Sequence, residues 1–75
     1  MTERQRVVAS LTNDLRYQAM LFVRNNAKTL ARYGMGVAYS LGDYMALEKY
    51  MVEQNKNSHN ITLQEVISVL QDYRS

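Results

Sequence analysis

Along the first part of the chain, Val8, Leu11, Leu15, Ala19, Phe22, Leu30 and Tyr33 recur at steps of three or four, and Asn26 fills the one gap in the series. Side chains at that spacing share one face of an α-helix. The pattern predicts one long N-terminal helix over about residues 3–33, roughly eight turns. Thr2-Glu3-Arg4-Gln5 has the form of a capping box, in which the hydroxyl accepts from the amide three residues on and the Gln reaches back. Arg32 falls in the last turn, where a cation suits the carbonyl end of the helix dipole. Gly34 follows in the usual place for a left-handed C-terminal cap. A second reading breaks the helix near Ser10–Asn13, where Ser, Thr and Asn side chains offer competing caps.

Residues 34–40 read as a connector. Ser40-Leu41-Gly42-Asp43 then opens a helix over about 41–55, with apolar positions at Leu41, Tyr44, Met45, Leu47, Met51 and Val52. The polar run Asn55-Lys56-Asn57-Ser58-His59-Asn60 reads as a loop. The last helix, about 63–73, has the clearest start. Thr62-Leu63-Gln64-Glu65 is a capping box, and Ile61 and Val66 flank it as a hydrophobic staple. Leu63, Val66, Ile67, Leu70 and Tyr73 form its apolar stripe. No segment alternates apolar and polar residues as a half-buried strand does. The fold class is therefore all-α, in a single small helical domain over residues 1–75.

Length adds an expectation about assembly. An unbroken helix over 3–33 would measure about 46 Å, whereas a compact chain of this size has a diameter of roughly 30 Å. Its apolar stripe would outrun its own domain and need another chain to cover it, so a helical homodimer is expected. A break near residues 10–13 would leave a piece of about 31 Å, short enough for a monomeric three-helix bundle.

Composition narrows the chemistry. There are no cysteines, which excludes a disulfide framework and thiolate metal sites. No stretch is apolar enough to span a membrane. Met1-Thr2-Glu3-Arg4 lacks the basic-then-apolar plan of a signal peptide, so a cytoplasmic protein with no membrane partner is expected. A Gly-rich phosphate loop, an HExxH helix and a serine elbow are all missing from the sequence. Glu48 and Glu53 are five apart and share a helix face poorly. His59 stands alone in a polar loop, a poor metal ligand. Aligning Glu65 with the last position of a calcium loop puts Lys56 and His59 where an oxygen ligand and a glycine belong. Asn60-Ile61-Thr62 matches a glycosylation sequon, which carries no weight without a secretory signal. The expectation is a non-enzyme with no cofactor or metal.

Charge is uneven. Residues 1–33 hold six cations against Glu3 and Asp14, while residues 34–75 hold three against five acids. Such asymmetry can steer an acidic partner, or hold two halves or two subunits in antiparallel register. Arg24, Lys28 and Arg32 lie within about 80° on a helical wheel, and Arg16 falls off that row. Three aligned cations form an electrostatic rim for a protein partner. They are few for phosphate binding, which strengthens with each contact. A helix-turn-helix fits badly, because the connector is long and the next helix presents Asp43, Glu48 and Glu53.

Tyr33, Tyr39, Tyr44 and Tyr50, with Met35, Met45 and Met51, make a soft aromatic region. It reads either as core tyrosines with wet hydroxyls or as a partner-binding patch. Asn26 reads either as a buried register-setting residue between paired helices or as a half-exposed interruption. The function expected is a small regulatory or adaptor protein that binds a protein partner, as a homodimer, through Tyr39, Tyr44, Met45 and Tyr50 with Arg24, Lys28 and Arg32 as the rim. The alternative is a small nucleic-acid-binding transcriptional regulator that uses the basic face of the long helix.

Overall fold

The computed structural model describes the backbone of residues 3–75 and the side chains of residues 14–75. Four helices follow one another, α1 (Glu3–Asn25), α2 (Ala27–Arg32), α3 (Leu41–Glu53) and α4 (Leu63–Arg74), and no strand occurs among the described residues. The capping box expected at Thr2 begins outside the described residues, and so do the side chains of Val8 and Leu11.

The N-terminal helix is not continuous to Tyr33. It runs through Ser10–Asn13 and breaks at Asn26 instead. The cause is local. Asn26 leaves the helical region at φ −113° and ψ 19°, and its side-chain amide donates to the Phe22 carbonyl at 2.8 Å. That carbonyl also accepts from the Asn26 backbone N–H at 3.1 Å. A short amide side chain that bonds its own backbone offers an alternative to the helix ladder. The apolar spacing continues across the break, so periodicity alone hides it. Asn26 is half-buried and bonded within its own helix, an arrangement that fits the interruption and not the setting of register.

α2 ends as the sequence predicts. Gly34 takes φ +83°, its N–H donates to Ala31 O at 3.1 Å, and the Met35 N–H reaches back to Leu30 O at 3.0 Å. These are the two bonds of a Schellman motif, and the apolar contact that accompanies it is supplied by the buried Leu30 and Met35. α3 ends the same way with Asn55 at φ +53°, where Asn55 N–H donates to Val52 O and Lys56 N–H to Met51 O at 2.8 Å. Both later helices start on capping boxes. Ser40 Oγ accepts from Asp43 N–H at 3.2 Å while Asp43 Oδ2 accepts from Ser40 N–H at 2.9 Å. Thr62 and Glu65 repeat the exchange at 3.1 Å in each direction.

α3 lies in the middle, packed against α1 on one side and α4 on the other. The core joins Ala19 and Val23 of α1, Leu30 of α2, Leu47 and Met51 of α3, and Val66, Ile67 and Leu70 of α4, with Met35 and Ile61 from the connectors. Leu30, Leu47, Met51 and Leu70 are almost wholly excluded from solvent. Ile61 and Val66 both face this interior, as the staple requires. The expected helical stripes were only partly inward. Leu41, Met45 and Val52 of α3 and Tyr73 of α4 remain exposed.

The molecule measures 44 × 23 × 19 Å with a radius of gyration of 12.8 Å, somewhat above the roughly 11 Å of a compact chain of this size.

The two Schellman ends predict opposite responses. Gly34→Ala puts a Cβ on a left-handed residue and should lower unfolding free energy by about 1 kcal/mol. Asn55→Gly relieves the smaller strain at φ +53° and should raise it by about 0.5 kcal/mol. Urea unfolding of the two variants checks this, and equal effects of one sign would exclude the assignment.

Candidate functional site

Two regions bring polar and aromatic side chains together. The first is the junction of the connector, the start of α3 and the last turn of α4. Asp43, the third residue of α3 and the acidic member of its capping box, is buried. Arg74 approaches it from α4 as a fork, with Nε donating to Oδ1 and Nη2 to Oδ2, each at 3.1 Å. Arg74 Nη1 donates to the Met35 carbonyl, and Nη2 reaches the Ala38 carbonyl at 3.5 Å. The guanidinium lies 5.0 Å from the centre of the Tyr39 ring, within the range of a cation–π contact. Tyr39 in turn stacks on Tyr44, with ring centres 6.3 Å apart.

The charges respond to this geometry. Hydrogen bonding from Arg74 holds the Asp43 carboxyl below its ordinary value, with burial opposing and the Ser40 N–H assisting. The same pairing raises Arg74. Partial burial pushes the Tyr39 hydroxyl up against the opposing field of Arg74.

The second region is an open groove of about 780 Å³ between α3 and α4. Met45, Ala46 and Tyr50 line it from α3, Val69 and Tyr73 from α4, and Lys49, Glu53 and Asp72 stand at its polar margin. Gly42 lies at one end directly beneath the Tyr73 ring, where a Cβ would collide with the hydroxyl. Across the helices Tyr50 donates to Glu65, which also closes the α4 cap and lies 3.6 Å from Lys56 Nζ. The Tyr50 hydrogen bond is the main reason the Glu65 carboxyl sits low and the Tyr50 hydroxyl high.

The structure does not gather the residues singled out from sequence into one site. Tyr39 and Tyr44 belong to the Asp43 junction, whereas Met45 and Tyr50 line the groove. Tyr33 points to solvent, while Met35 and Met51 are core. The basic row is divided by the Asn26 break, with Arg24 on α1 and Lys28 and Arg32 on α2. All three are exposed, and none carries an ion pair among the described residues.

Two side chains that the sequence left aside turn out to be central. Arg16 pairs with the buried Glu48 through two bonds, Nε to Oε2 at 2.9 Å and Nη2 to Oε1 at 3.2 Å. Arg74 is the organiser of the junction. Both pairings join residues about thirty positions apart, and no local pattern in the sequence signals them. Among the described residues no group of three His, Asp or Glu side chains could hold a metal ion, and no helix is long and apolar enough to cross a membrane.

Comparisons with protein-family models, with curated proteins and with solved structures found no match.

The depressed Asp43 carboxyl implies a defined acid dependence. A group lowered in the folded state stabilises fully above its unfolded value, about 3.9, and that contribution is lost as pH falls through the folded value. The stability difference between the wild type and Asp43→Asn should be constant above about pH 5 and shrink below about pH 4. Urea unfolding across this range checks it, and a difference independent of pH would show that the ionised pair contributes nothing.

Proposed function

We propose that this chain is a small, non-enzymatic regulatory or adaptor protein that acts by protein–protein binding, with a second copy of itself as one partner. The observation that carries this reading is the outward side of α3. Leu41, Met45 and Val52 are 61%, 46% and 52% exposed, and they fall within about 40° on the helical wheel. They form an apolar row, interrupted by Lys49 between Met45 and Val52, that leads through Met45 into the α3/α4 groove. Met and Tyr at such a surface supply adaptable contact area with one wet end. Contiguous exposed apolar surface is what marks interaction sites on small proteins.

The elongated shape supports the homodimer, since 44 Å in one direction exceeds the roughly 30 Å diameter of a compact chain of this length. The break at Asn26 ends the N-terminal helix at 23 residues, and the exposed row on α3 supplies apolar surface for a second copy. Arg24, Lys28 and Arg32 serve as an electrostatic rim that favours acidic partner surfaces.

Light scattering and sedimentation at micromolar concentration test the assembly. A dimer is expected for the wild type. Met45→Glu should give a monomer of unchanged helicity, because Met45 contributes little to the core. A clean wild-type monomer would exclude self-association through this strip.

The exposure of the three cations sustains a second reading, a small nucleic-acid-binding regulator. Retention on immobilised DNA or RNA that collapses between low and moderate salt would favour it. Charge removal at Lys28 and Arg32 should then flatten the salt dependence. No retention at low salt excludes it.

A further inference from the structure

The junction around Arg74 is asymmetric in an informative way. The hydrogen-bond and cation–π partners of the guanidinium all come from one short stretch, Met35 to Asp43, while the guanidinium itself arrives from the far end of α4. That stretch is shaped by bonds in which Arg74 takes no part. Met35 is pinned by its N–H to Leu30 O at 3.0 Å and is buried. The Tyr39 hydroxyl bonds the Gly36 carbonyl at 3.4 Å. Ser40 fixes the Asp43 carboxylate through its N–H at 2.9 Å and its hydroxyl at 3.3 Å. The cradle is therefore shaped in part by bonds of its own.

Its chemistry also selects the occupant. A carboxylate presented edge-on accepts two parallel N–H bonds, two carbonyls accept the outward N–H groups, and an aromatic face lies against the cation. A planar guanidinium has its donors fixed in a fork that matches this pattern, whereas an ammonium is a compact point charge that does not. Some 410 Å³ of open space adjoins the cradle, bordered by Ala38, Ser40 and Tyr73, so a side chain can enter from solvent. The Arg74 side chain remains 29% exposed and sits in the last turn of its helix, where helix ends commonly fray.

We propose that residues Met35–Asp43 form a preorganised guanidinium-binding site, occupied in cis by Arg74 and open to an arginine side chain of a partner polypeptide when the last turn of α4 lifts away. Arg74 then acts as a built-in competitor, and a partner arginine gains access by replacing its contacts one for one. The site adjoins the α3/α4 groove at Tyr73, but the polar groups that would hold a guanidinium are not those that line the groove.

The test uses the full chain carrying Arg74→Ala, titrated with N-ethylguanidinium. The substitution should lower Tm by about 10 °C, a large but ordinary response for a domain of this size. Low-millimolar N-ethylguanidinium should restore part of that loss saturably and shift the amide resonances of Tyr39, Ser40 and Asp43. Ethylammonium at the same concentration should do neither. Adding Asp43→Asn, which keeps an acceptor oxygen for the helix cap but removes the charge, should abolish the rescue. If Arg74→Ala is unfolded at room temperature, the same titration is read as regained helicity by circular dichroism. No saturable response, an equal response to ethylammonium, or rescue that survives Asp43→Asn would overturn the site. A capped Gly-Arg-Gly peptide should bind Arg74→Ala at least as tightly as the small probe. Binding of free L-arginine with refusal of the peptide would overturn the assignment to a polypeptide partner.

Discussion

One helix of thirteen residues has to satisfy two neighbours at once. α3 is the element shared by the α1 and α4 packing faces, and its apolar residues alone do not do the work. Leu47 and Met51 fill the interior, but three polar side chains reach outward to fix its neighbours. Glu48 holds α1 through Arg16, while Asp43 and Tyr50 hold α4 through Arg74 and Glu65. Burying a carboxylate is costly unless it is paired and its remaining oxygens are bonded. Both buried carboxylates of α3 meet that condition, and no buried side-chain polar atom among the described residues lacks a partner. With two sides committed in this way, only the side bearing Leu41, Met45 and Val52 is left to face outward.

What could be read from the sequence divides along the same line. The all-α class, the start of α4 at Thr62, its staple and the left-handed Gly34 were legible because each rests on residues within a few positions of one another. The Arg16–Glu48 and Asp43–Arg74 pairs were not, since nothing local marks which of nine cations will meet which acid across the fold. Asn26 failed differently. It stands out in the sequence as the odd residue in an apolar series, yet a helical series continues in register on both sides of it. Whether a polar residue there sets register or breaks the helix depends on where its amide turns, and it turns to Phe22 O. The aromatic cluster was split for a similar reason. Tyr44 and Met45 are adjacent in sequence but separated by a helix step of about 100°, so one joins the Asp43 junction and the other the groove.

The connector between α2 and α3 was the least interpretable segment, and it is among the most organised. Gly34 and Gly36 both take positive φ. Between them Met35 turns its side chain into the core and gives its carbonyl to Arg74. A stretch without regular structure thus contributes a core residue and an acceptor at the same position. This is a use of loop backbone that composition alone does not reveal.

The two guanidinium–carboxylate pairs close chain segments of 32 and 31 positions, and the segments overlap on α3 between Asp43 and Glu48. In a protein without cysteine they stand where a pair of crosslinks would. The resemblance ends at the unfolded state. A disulfide restrains the denatured chain and gains much of its effect there, whereas an ion pair dissolves with the fold and leaves that ensemble as large as before. Each closure must therefore be made again, against the full entropy of its loop, every time the chain folds. The persistence of the tertiary structure rests entirely on interactions within the native state, with nothing contributed by a restrained unfolded one.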